Sequence, residues 1–250
     1  MTEPGLGGRV AIVTGVSRRI GIAYTVARRL TDLGAIVFAT GWPAHDREMP
    51  WGGDDVVDAP FPTEERDLED PAAPAALVDA VIERHGVLDI VVAVHARSSN
   101  QPLLELTADE LDRCWAANVR SVLLLARRFA ERHDVSRRGG RLIWFTSGQH
   151  LGPMPGELPY SVTKGALHQM TMSLAAPLAD LGIVANCINP GPVDTGYATG
   201  DDLEHVRKRF PTGRWGMPDD VANLVAFLVS DQGAWIQGQV INSEGGFRRG

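Results

Sequence analysis

The hydrophobic positions along the chain form short continuous apolar runs that alternate with longer amphipathic stretches. The runs are rich in Val, Ile and Ala and do not alternate with polar residues, which is typical of strands covered on both faces. They predict strands at 9–15, 35–41, 88–94, 140–147, 183–191 and 238–246. A helical period between them predicts helices at about 21–33, 72–85, 107–132, 160–181 and 218–230.

The alternation of strands and helices runs through the whole chain and predicts an α/β fold, a doubly wound parallel sheet flanked by helices. No linker, repeat or low-complexity block divides the sequence, so we expect one domain over residues 1–250. Segment 42–66 is rich in Pro, Gly and acidic residues, and we interpret it as an exposed connection around a short third strand. Thr107 and Glu110 form a capping box at the start of one predicted helix.

Composition excludes several classes of protein. Hydrophobic residues make up 44% and charged residues 22% of the chain, as in ordinary globular proteins. The formal net charge of −7 argues against a nucleic-acid partner. Cys114 and Cys187 are the only cysteines, so we expect neither a disulfide scaffold nor a cysteine-rich zinc site. No charged start precedes a long apolar run, so we expect no membrane partner and a cytoplasmic location.

The stretch "VTGVSRRIGIA" (13–23) follows the first predicted strand and opens the first helix, the context required of a dinucleotide-binding glycine loop. It resembles the Thr-Gly-x-x-x-Gly-x-Gly loop of the short-chain dehydrogenase/reductase family, with an expansion at 16–20. The resemblance implies a Rossmann fold. In it Gly15 gives the tight turn, Gly21 allows a phosphate to approach the helix, and Ala23 occupies the last glycine position.

Charge near this loop favours NADP(H), with NAD(H) as the alternative. NAD-dependent enzymes typically carry an acidic residue at the end of the second strand, where it binds the ribose hydroxyls. Here that end is Thr40-Gly41-Trp42, without an acid. Ser17, Arg18 and Arg19 lie in the loop, and arginine suits the bidentate binding of a 2′-phosphate.

Four polar residues form the strongest signal in the sequence. Tyr160 and Lys164 are four residues apart and share one helix face, and Ser147 ends a predicted strand thirteen residues before Tyr160. With Asn118 they occur in the order of the catalytic residues of the short-chain dehydrogenases. We therefore predict that they form the catalytic site.

The resemblance assigns each of these residues a role. Tyr160 is expected to act as the acid/base, with its pKa lowered from about 10 towards neutrality by the Lys164 ammonium. Lys164 is also expected to bind the nicotinamide ribose. Ser147 would orient the substrate oxygen, and Asn118 would hold a water that links Lys164 to solvent.

Two further segments resemble cofactor-binding parts of the family. After the fourth strand, "VAVHARSSN" (92–100) has His95 and Arg97 where the family has an amide and a glycine, and it keeps a small residue at Ala96. "NPGPVDTG" (189–196) matches the turn beside the nicotinamide. The predicted cofactor contacts are Gly15, Ser17, Arg18, Arg19, Gly21, Ile22, Asp67, Leu68, His95, Ala96, Tyr160, Lys164, Pro190, Gly191, Val193 and Thr195, with Arg97 as a further pocket or cofactor contact.

The substrate pocket is less constrained by motifs. We predict contacts from Ser147, Gln149, His150 and Tyr160, and a lid over about 193–213, which has a charged helical centre. Leu151 and Met154 are expected to line the same pocket, which the sequence indicates is partly polar and partly apolar.

The predicted function is an NADP(H)-dependent ketoreductase or alcohol dehydrogenase for a small-molecule carbonyl or alcohol, similar to β-ketoacyl carrier-protein reductases. One alternative is a non-catalytic NADP(H)-binding redox sensor, suggested by the unusual segment 93–97. Another is an enoyl reductase-like enzyme, although those enzymes space Tyr and Lys more widely than Tyr160 and Lys164. The resemblance also implies a homo-tetramer or dimer.

Overall fold

A seven-stranded parallel sheet forms the centre of the protein, with strand order β3-β2-β1-β4-β5-β6-β7. The structure is a computed structural model that describes residues 5–54, 58–137, 139–198 and 200–248. Its strands are β1 (Val10–Thr14), β2 (Ile36–Gly41), β3 (Thr63–Glu65), β4 (Ile90–Ala93), β5 (Gly140–Phe145), β6 (Ile183–Asn189) and β7 (Val240–Asn242). The predicted fold class is confirmed, because each predicted strand lies in this one sheet.

Helices connect the strands and cover both faces of the sheet. In the described part of the chain they are α1 (Ile22–Asp32), α2 (Pro43–Glu48), α3 (Ala73–His85), α4 (Ala108–Trp115), α5 (Ser121–Arg132), α6 (Leu158–Gln169), α7 (Thr171–Asp180), α8 (Gly200–Arg207) and α9 (Pro218–Val229). Among the described residues, no helix is both long enough and apolar enough to cross a membrane.

The apolar core lies in two layers, one on each face of the sheet. On one face α1 and α9 pack side by side, with Val26 and Val225 fully buried between them and the strands. On the other face α3 packs against α5 and buries Leu77 and Phe129. Because both faces are covered, the strands carry continuous apolar runs, which is the pattern seen in the sequence.

Three elements differ from the sequence-based expectation. The helix predicted at 107–132 contains a π-helical turn, Ala116–Arg120, between α4 and α5. The helix predicted at 160–181 divides at Met170 into α6 and α7. Segment 42–66 contains α2, which begins with Pro43 in the first turn, where proline suits a helix. Its six residues are too few for a helical period to reveal it.

We expect Val122→Ala on α5 to lower the free energy of unfolding by about 2 kcal/mol, because it deletes two buried methyl groups and leaves a cavity. Val122 is 1% exposed in the core beneath α3, whereas Val135 is 67% exposed in a turn. The matched control Val135→Ala should change the unfolding free energy by less than about 0.5 kcal/mol. Urea unfolding monitored by circular dichroism measures both. Equal losses in the two variants would contradict the burial of α5.

Candidate active site

A cleft opens at the carboxyl edge of the sheet, where the loops after β1, β2 and β4 meet. We call it the glycine-loop cleft. Of the predicted cofactor contacts, those that line it are Gly15, Ser17, Arg18, Gly21, Ile22, Asp67, Leu68, His95, Ala96 and Thr195, together with Arg97. Residues of the cleft that the sequence did not single out as contacts include Thr40, Trp42, His45, Asp46, Arg66 and Glu69.

The loop after β1 has a backbone shape that only glycine accommodates. Gly15 has φ of 86°, and a Cβ there would lie 2.7 Å from the backbone nitrogen of His95. The Val16 amide donates to the Thr40 carbonyl at 2.9 Å, which ties the loop to the end of β2. The loop is therefore held against both neighbouring strands, and its atoms face the cleft.

The N-terminus of α1 offers unused hydrogen-bond donors to the cleft. Gly21 is the N-cap of α1 and makes no side-chain capping bond. The first amides of a helix have no partner within it and attract anions. Thr40, another residue of the cleft, has a buried hydroxyl without a hydrogen-bond partner among the described residues. These unused donors lie beside Gly21, whose lack of a side chain lets a ligand come close to the backbone. They fit the phosphates and ribose of a dinucleotide.

The polar and charged residues of this loop, Ser17, Arg18 and Arg19, have partners in different directions. Ser17 donates a hydrogen bond to the carboxylate of Asp46, which also accepts one from the Trp51 indole at 2.9 Å. Arg18 reaches the other way, since its Nη2 lies 3.5 Å from the Cβ position of Gly196. Arg19 is exposed, and its amide donates to Asp54 at 2.6 Å. Thus α2 brings an acid, Asp46, to the β2 end where the sequence indicated none.

His95 links β1 to the π-helical turn through a directed chain of hydrogen bonds. Its Nδ1 lies 2.5 Å from the Thr14 hydroxyl, and its Nε2 lies 2.7 Å from the Ser121 hydroxyl. Ser121 itself donates to the Ala117 carbonyl, so it must accept from Nε2–H, and Nδ1 accepts from Thr14. Burial, with the positive charge of Lys164, lowers the pKa of His95 to about 3. The imidazole is therefore neutral and fixed in one tautomer.

Arg97 is a buried anchor of the cleft wall. Its guanidinium binds both carboxylate oxygens of Glu110, at 3.0 and 2.9 Å, and lies 3.5 Å from Glu69. Burial alone would lower the pKa of Arg97, but the hydrogen bonds and charge of Glu110 and the charge of Glu69 raise it above its ordinary value. Arg97 therefore stays charged, and its geometry joins the loop after β4 to α4.

Three of the predicted catalytic residues meet where β5 ends against α6. Tyr160 lies in the first turn of α6, and Ser147 follows the end of β5, close enough to the phenol to lower its pKa. Lys164, one turn later, is 3% exposed. Its Nζ donates to the Phe145 carbonyl at 2.9 Å and lies 5.4 Å from the centre of the Tyr160 ring. An acid, a second hydroxyl and an amine are thus brought together at the end of β5, with Lys164 buried and the two hydroxyl groups partly exposed.

The electrostatics of this group differ from the expectation. Burial raises the pKa of Tyr160 to about 12, although the hydrogen bond with Ser147 lowers it and the charge of Glu157 raises it. Burial also lowers the pKa of Lys164 to about 8, against a weak opposing effect of Cys187. Desolvation is therefore the largest cause of both pKa shifts, and the chain by itself keeps Tyr160 protonated.

Asn118 connects this group to the cleft wall. It lies within the π-helical turn and is fully buried. Its Oδ1 accepts from the Arg97 amide at 2.6 Å, and its Nδ2 donates to the Arg97 carbonyl at 3.0 Å and to the Thr163 hydroxyl at 2.9 Å. Thr163 belongs to α6, so one side chain fixes the loop after β4 relative to the helix that carries Tyr160 and Lys164.

A second cavity of about 480 Å³ opens next to Ser147, and we call it the Ser147 cavity. Its described lining is Ser147, Gly148, Gly152, Pro153, Met154, Gly191, Pro192, Tyr197, Arg209 and Phe247. Tyr197 and Arg209 lie within the segment predicted to form the lid and line the pocket, although sequence reasoning named neither residue, and Phe247 lies outside that segment.

Two predicted substrate contacts point elsewhere. The Gln149 amide accepts from the Ser147 backbone at 3.2 Å and donates to the Thr146 hydroxyl at 3.1 Å, so it holds the turn after β5. The His150 ring packs against the His168 ring, with ring centres 4.4 Å apart and planes tilted by 39°. Neither residue is among the described lining of the Ser147 cavity, and their role stays a prediction.

The turn after β6 contributes residues to both cavities. Gly191 has φ of 65°, and its amide donates to the Asn189 side chain at 3.1 Å. Gly191 lines the Ser147 cavity, whereas Thr195 lines the glycine-loop cleft. Pro190 and Val193 face a third pocket beyond this turn. Residue 199 of the predicted lid lies outside the described residues, and the lid role of 193–213 stays a prediction.

Comparison with known proteins identifies relatives over nearly the whole chain. A family model described as enoyl-(acyl carrier protein) reductase matches residues 15–248. An uncharacterized oxidoreductase of Bacillus subtilis, YjdA, is 38% identical over 245 residues, which covers 97% of this chain and 98% of the relative. A 3-oxoacyl-(acyl-carrier-protein) reductase of Rickettsia bellii is 32% identical over 244 residues, which covers 96% of this chain and 97% of the relative.

A solved structure has the same fold. A short-chain dehydrogenase of Burkholderia cenocepacia in complex with NADP matches with a TM-score of 0.83 and 31% identity, over 96% of this chain and 98% of that one. Similarity at this level, over this length, extends to the arrangement of the whole sheet and its helices.

Lys164→Met should stabilise the protein at neutral pH, because it removes an ammonium from a buried site. The pKa of Lys164 is about 8 in the folded chain and 10.5 when unfolded, so between these values the unfolded chain alone binds the proton. The gain in unfolding free energy, about 3 kcal/mol below pH 8, should then shrink towards zero by pH 10.5. The other titratable groups affect the unfolding free energy of the wild type and of the variant equally, so their contributions cancel in the difference between the two proteins.

Chemical unfolding of both proteins at several pH values between 7 and 10.5 measures the trend. Lys208→Met removes an exposed lysine whose side chain is 70% accessible, and it should change the unfolding free energy by less than about 0.5 kcal/mol. A pH-independent difference for Lys164→Met would contradict the desolvation of this amine.

Arg97→Met should lower the free energy of unfolding by about 3 kcal/mol, because it leaves the Glu110 carboxylate buried without its partner. The double variant Arg97→Met/Glu110→Met should recover at least half of this loss, since it removes both charges. Arg113→Met, which breaks a more exposed pair with Glu69, serves as the control and should cost less than about 1 kcal/mol. Urea unfolding gives all three values, and additive losses in the double variant would rule out the pairing.

Proposed function

Because the chain belongs to the short-chain dehydrogenase/reductase family, we propose that it is an NADP(H)-dependent oxidoreductase that interconverts a ketone or other carbonyl and an alcohol, with Tyr160 as the acid/base. Membership of this family means that the chain is an oxidoreductase that acts on carbonyl or alcohol groups. The observation that carries the finer proposal is the grouping of Tyr160 and Lys164, one helical turn apart on α6 with Nζ 5.4 Å from the phenol ring, beside Ser147, which lines the Ser147 cavity.

The cofactor fits the glycine-loop cleft. The uncapped N-terminus of α1 and the Gly15 turn suit its phosphates, and Thr195 of the turn after β6 lines the same cleft. When bound, the nicotinamide ring supplies or accepts a hydride. Lys164 retains N–H donors beyond the one used by the Phe145 carbonyl, and these suit the ribose hydroxyls.

In the proposed reduction, Ser147 donates a hydrogen bond to the carbonyl oxygen, which places that oxygen beside the Tyr160 phenol. As negative charge develops on the oxygen, Tyr160 transfers its proton to it. Burial gives Tyr160 a high pKa, so the phenol is protonated before the reaction. This supports the reduction, because Tyr160 must donate that proton to the substrate oxygen. In the reverse direction Tyr160 would have to be deprotonated first, and the buried Lys164 ammonium would stabilise the phenolate.

Asn118, His95 and Arg97 act as positioning residues in this proposal, since they bond to the chain and not to the reacting atoms. Asn118 fixes α6 through Thr163, and His95 fixes the π-helical turn through Ser121. The unusual residues at 95 and 97 thus have internal partners. They no longer favour a non-catalytic redox sensor, which was suggested by their departure from the family pattern.

The preference for NADP(H) rests on Ser17 and Arg18, which line the cleft, and one similar structure contains NADP. Asp46 works against it, because its carboxylate holds the Ser17 hydroxyl where a 2′-phosphate would bind. We propose that Ser17 exchanges this bond for the phosphate. Asp46→Asn should then raise the kcat/KM ratio of NADPH over NADH at least fivefold, because it removes the repulsion.

An enoyl reductase is the second candidate, because the matching family model carries that description. The four-residue step from Tyr160 to Lys164 on α6 speaks for the carbonyl reaction. We also propose a homo-tetramer or dimer, since large apolar side chains such as Leu104, Trp115 and Trp235 are exposed on the isolated chain.

Loss of reduced-nicotinamide absorbance with NADPH, and separately NADH, tests the proposal across simple ketones, β-ketoesters and quinones. Tyr160→Phe should lower kcat by about 10²–10⁴-fold, because the proton donor is lost. Tyr24→Phe makes the same change on α1, where the hydroxyl donates to the Asp58 carbonyl, and should leave kcat within about twofold.

Turnover that survives in Tyr160→Phe would overturn the assigned acid/base. Consumption of NADPH with a crotonyl thioester, but with no ketone, would favour the enoyl reductase. Faster turnover with NADH than with NADPH would overturn the reading of Ser17 and Arg18.

A further inference from the structure

The Ser147 cavity contains a single charged side chain among its described lining residues. That residue is Arg209, which follows α8 and is half-buried. The remaining lining is apolar, small or uncharged. A cavity of about 480 Å³ lies within the range of about 300–1,000 Å³ that holds small ligands, and in such sites one charged group commonly fixes orientation.

The Arg209 guanidinium is held in a fixed position. Its Nε donates to the Arg248 carbonyl at 2.7 Å, and the Arg248 amide donates back to the Arg209 carbonyl at 3.1 Å. Its central carbon lies 4.8 Å from the centre of the Phe247 ring, a cation–π contact. Because Phe247 also lines the cavity, the arginine packs against the cavity wall, and its bonds to Arg248 set its position before any ligand binds.

Arg209 has no carboxylate partner in the described part of the chain, unlike its neighbours. Arg207 binds both oxygens of Glu204 at 2.7 Å, and Arg214 binds both oxygens of Asp220 at 2.7 and 3.0 Å. The Nε–H of Arg209 is used by Arg248, which leaves the four N–H donors of its two terminal nitrogens. A half-buried cation with a free planar fork is a site for a planar anion.

We propose that the substrate is an oxo acid or the corresponding hydroxy acid, with its carboxylate bound to Arg209 and its carbonyl at Ser147 and Tyr160. Its apolar body would lie against Met154 and Phe247. A single cation balances a single negative charge, which favours a carboxylate over a doubly charged phosphate ester. In the reduction, hydride adds to the carbonyl carbon, the Tyr160 proton adds to its oxygen, and the carboxylate is unchanged. This inference rests on the proposed carbonyl chemistry and specifies its substrate.

The test compares acids with their neutral esters. We would measure kcat/KM for 4-oxopentanoate and 4-acetylbenzoate against their methyl esters, with the wild type, Arg209→Gln and Lys208→Gln. The wild type should prefer at least one acid over its ester. In Arg209→Gln the acid-to-ester ratio should fall about tenfold or more, mainly through KM, because Arg209 binds a part of the substrate remote from the reacting carbonyl.

Lys208→Gln is the matched control, since it removes the same charge from an exposed neighbouring residue that does not line the cavity. Its acid-to-ester ratio should equal that of the wild type. An unchanged ratio in Arg209→Gln, or an equal fall in both variants, would overturn the carboxylate site while leaving the reductase intact.

If neither acids nor esters are turned over, the proposed reaction is at fault, and binding then tests Arg209 on its own. Isothermal titration with 4-acetylbenzoate should show saturable binding to the wild type that weakens about tenfold in Arg209→Gln and not in Lys208→Gln. Binding of the methyl ester should be the same in all three proteins. Equal affinity of wild type and Arg209→Gln for the carboxylate would overturn the inference.

Discussion

The arrangement of the catalytic group depends on the side chain of one buried asparagine. Asn118 makes three hydrogen bonds, two to the backbone of Arg97 and one to Thr163 on α6. A fully buried amide must satisfy its donors and acceptors within the protein, because leaving one unpaired costs about 1–3 kcal/mol. The loop after β4, the π-helical turn and α6 are therefore fixed relative to one another, and with them the Tyr160–Lys164 pair.

Desolvation is the second constraint, and it acts on the pair that Asn118 positions. Tyr160 and Lys164 are both shifted towards their neutral forms, so the site holds a protonated phenol beside an amine that is easily deprotonated. The sequence led us to expect the opposite shift for Tyr160, because spacing reveals which groups are adjacent but not how much water they lose. Depth of burial depends on how the helices pack, and it cannot be predicted from the four-residue spacing.

The sheet, most of the helices and the residues on the strand ends were predictable because they follow from local periodicity and from spacings along one element. The residues that sequence reasoning did not name individually lie in irregular segments, with Arg209 inside the predicted lid. Asp46 reaches the cleft only because the six-residue helix α2 folds back over the end of β2. Arg209 reaches the Ser147 cavity because it pairs with the backbone of Arg248, 39 residues later. Such contacts depend on how distant segments meet, and no periodic pattern marks them.

His95 shows what a substitution in a cofactor wall can preserve. A neutral imidazole fixed in one tautomer presents one acceptor and one donor, the same pair that the carboxamide of an asparagine presents. With its pKa near 3, the ring stays uncharged throughout the physiological range. The chain thus carries, in the wall of its cleft, a histidine that behaves as a rigid and slightly longer amide. Exchange between these two residue types can change the shape of the wall without introducing any sensitivity to pH.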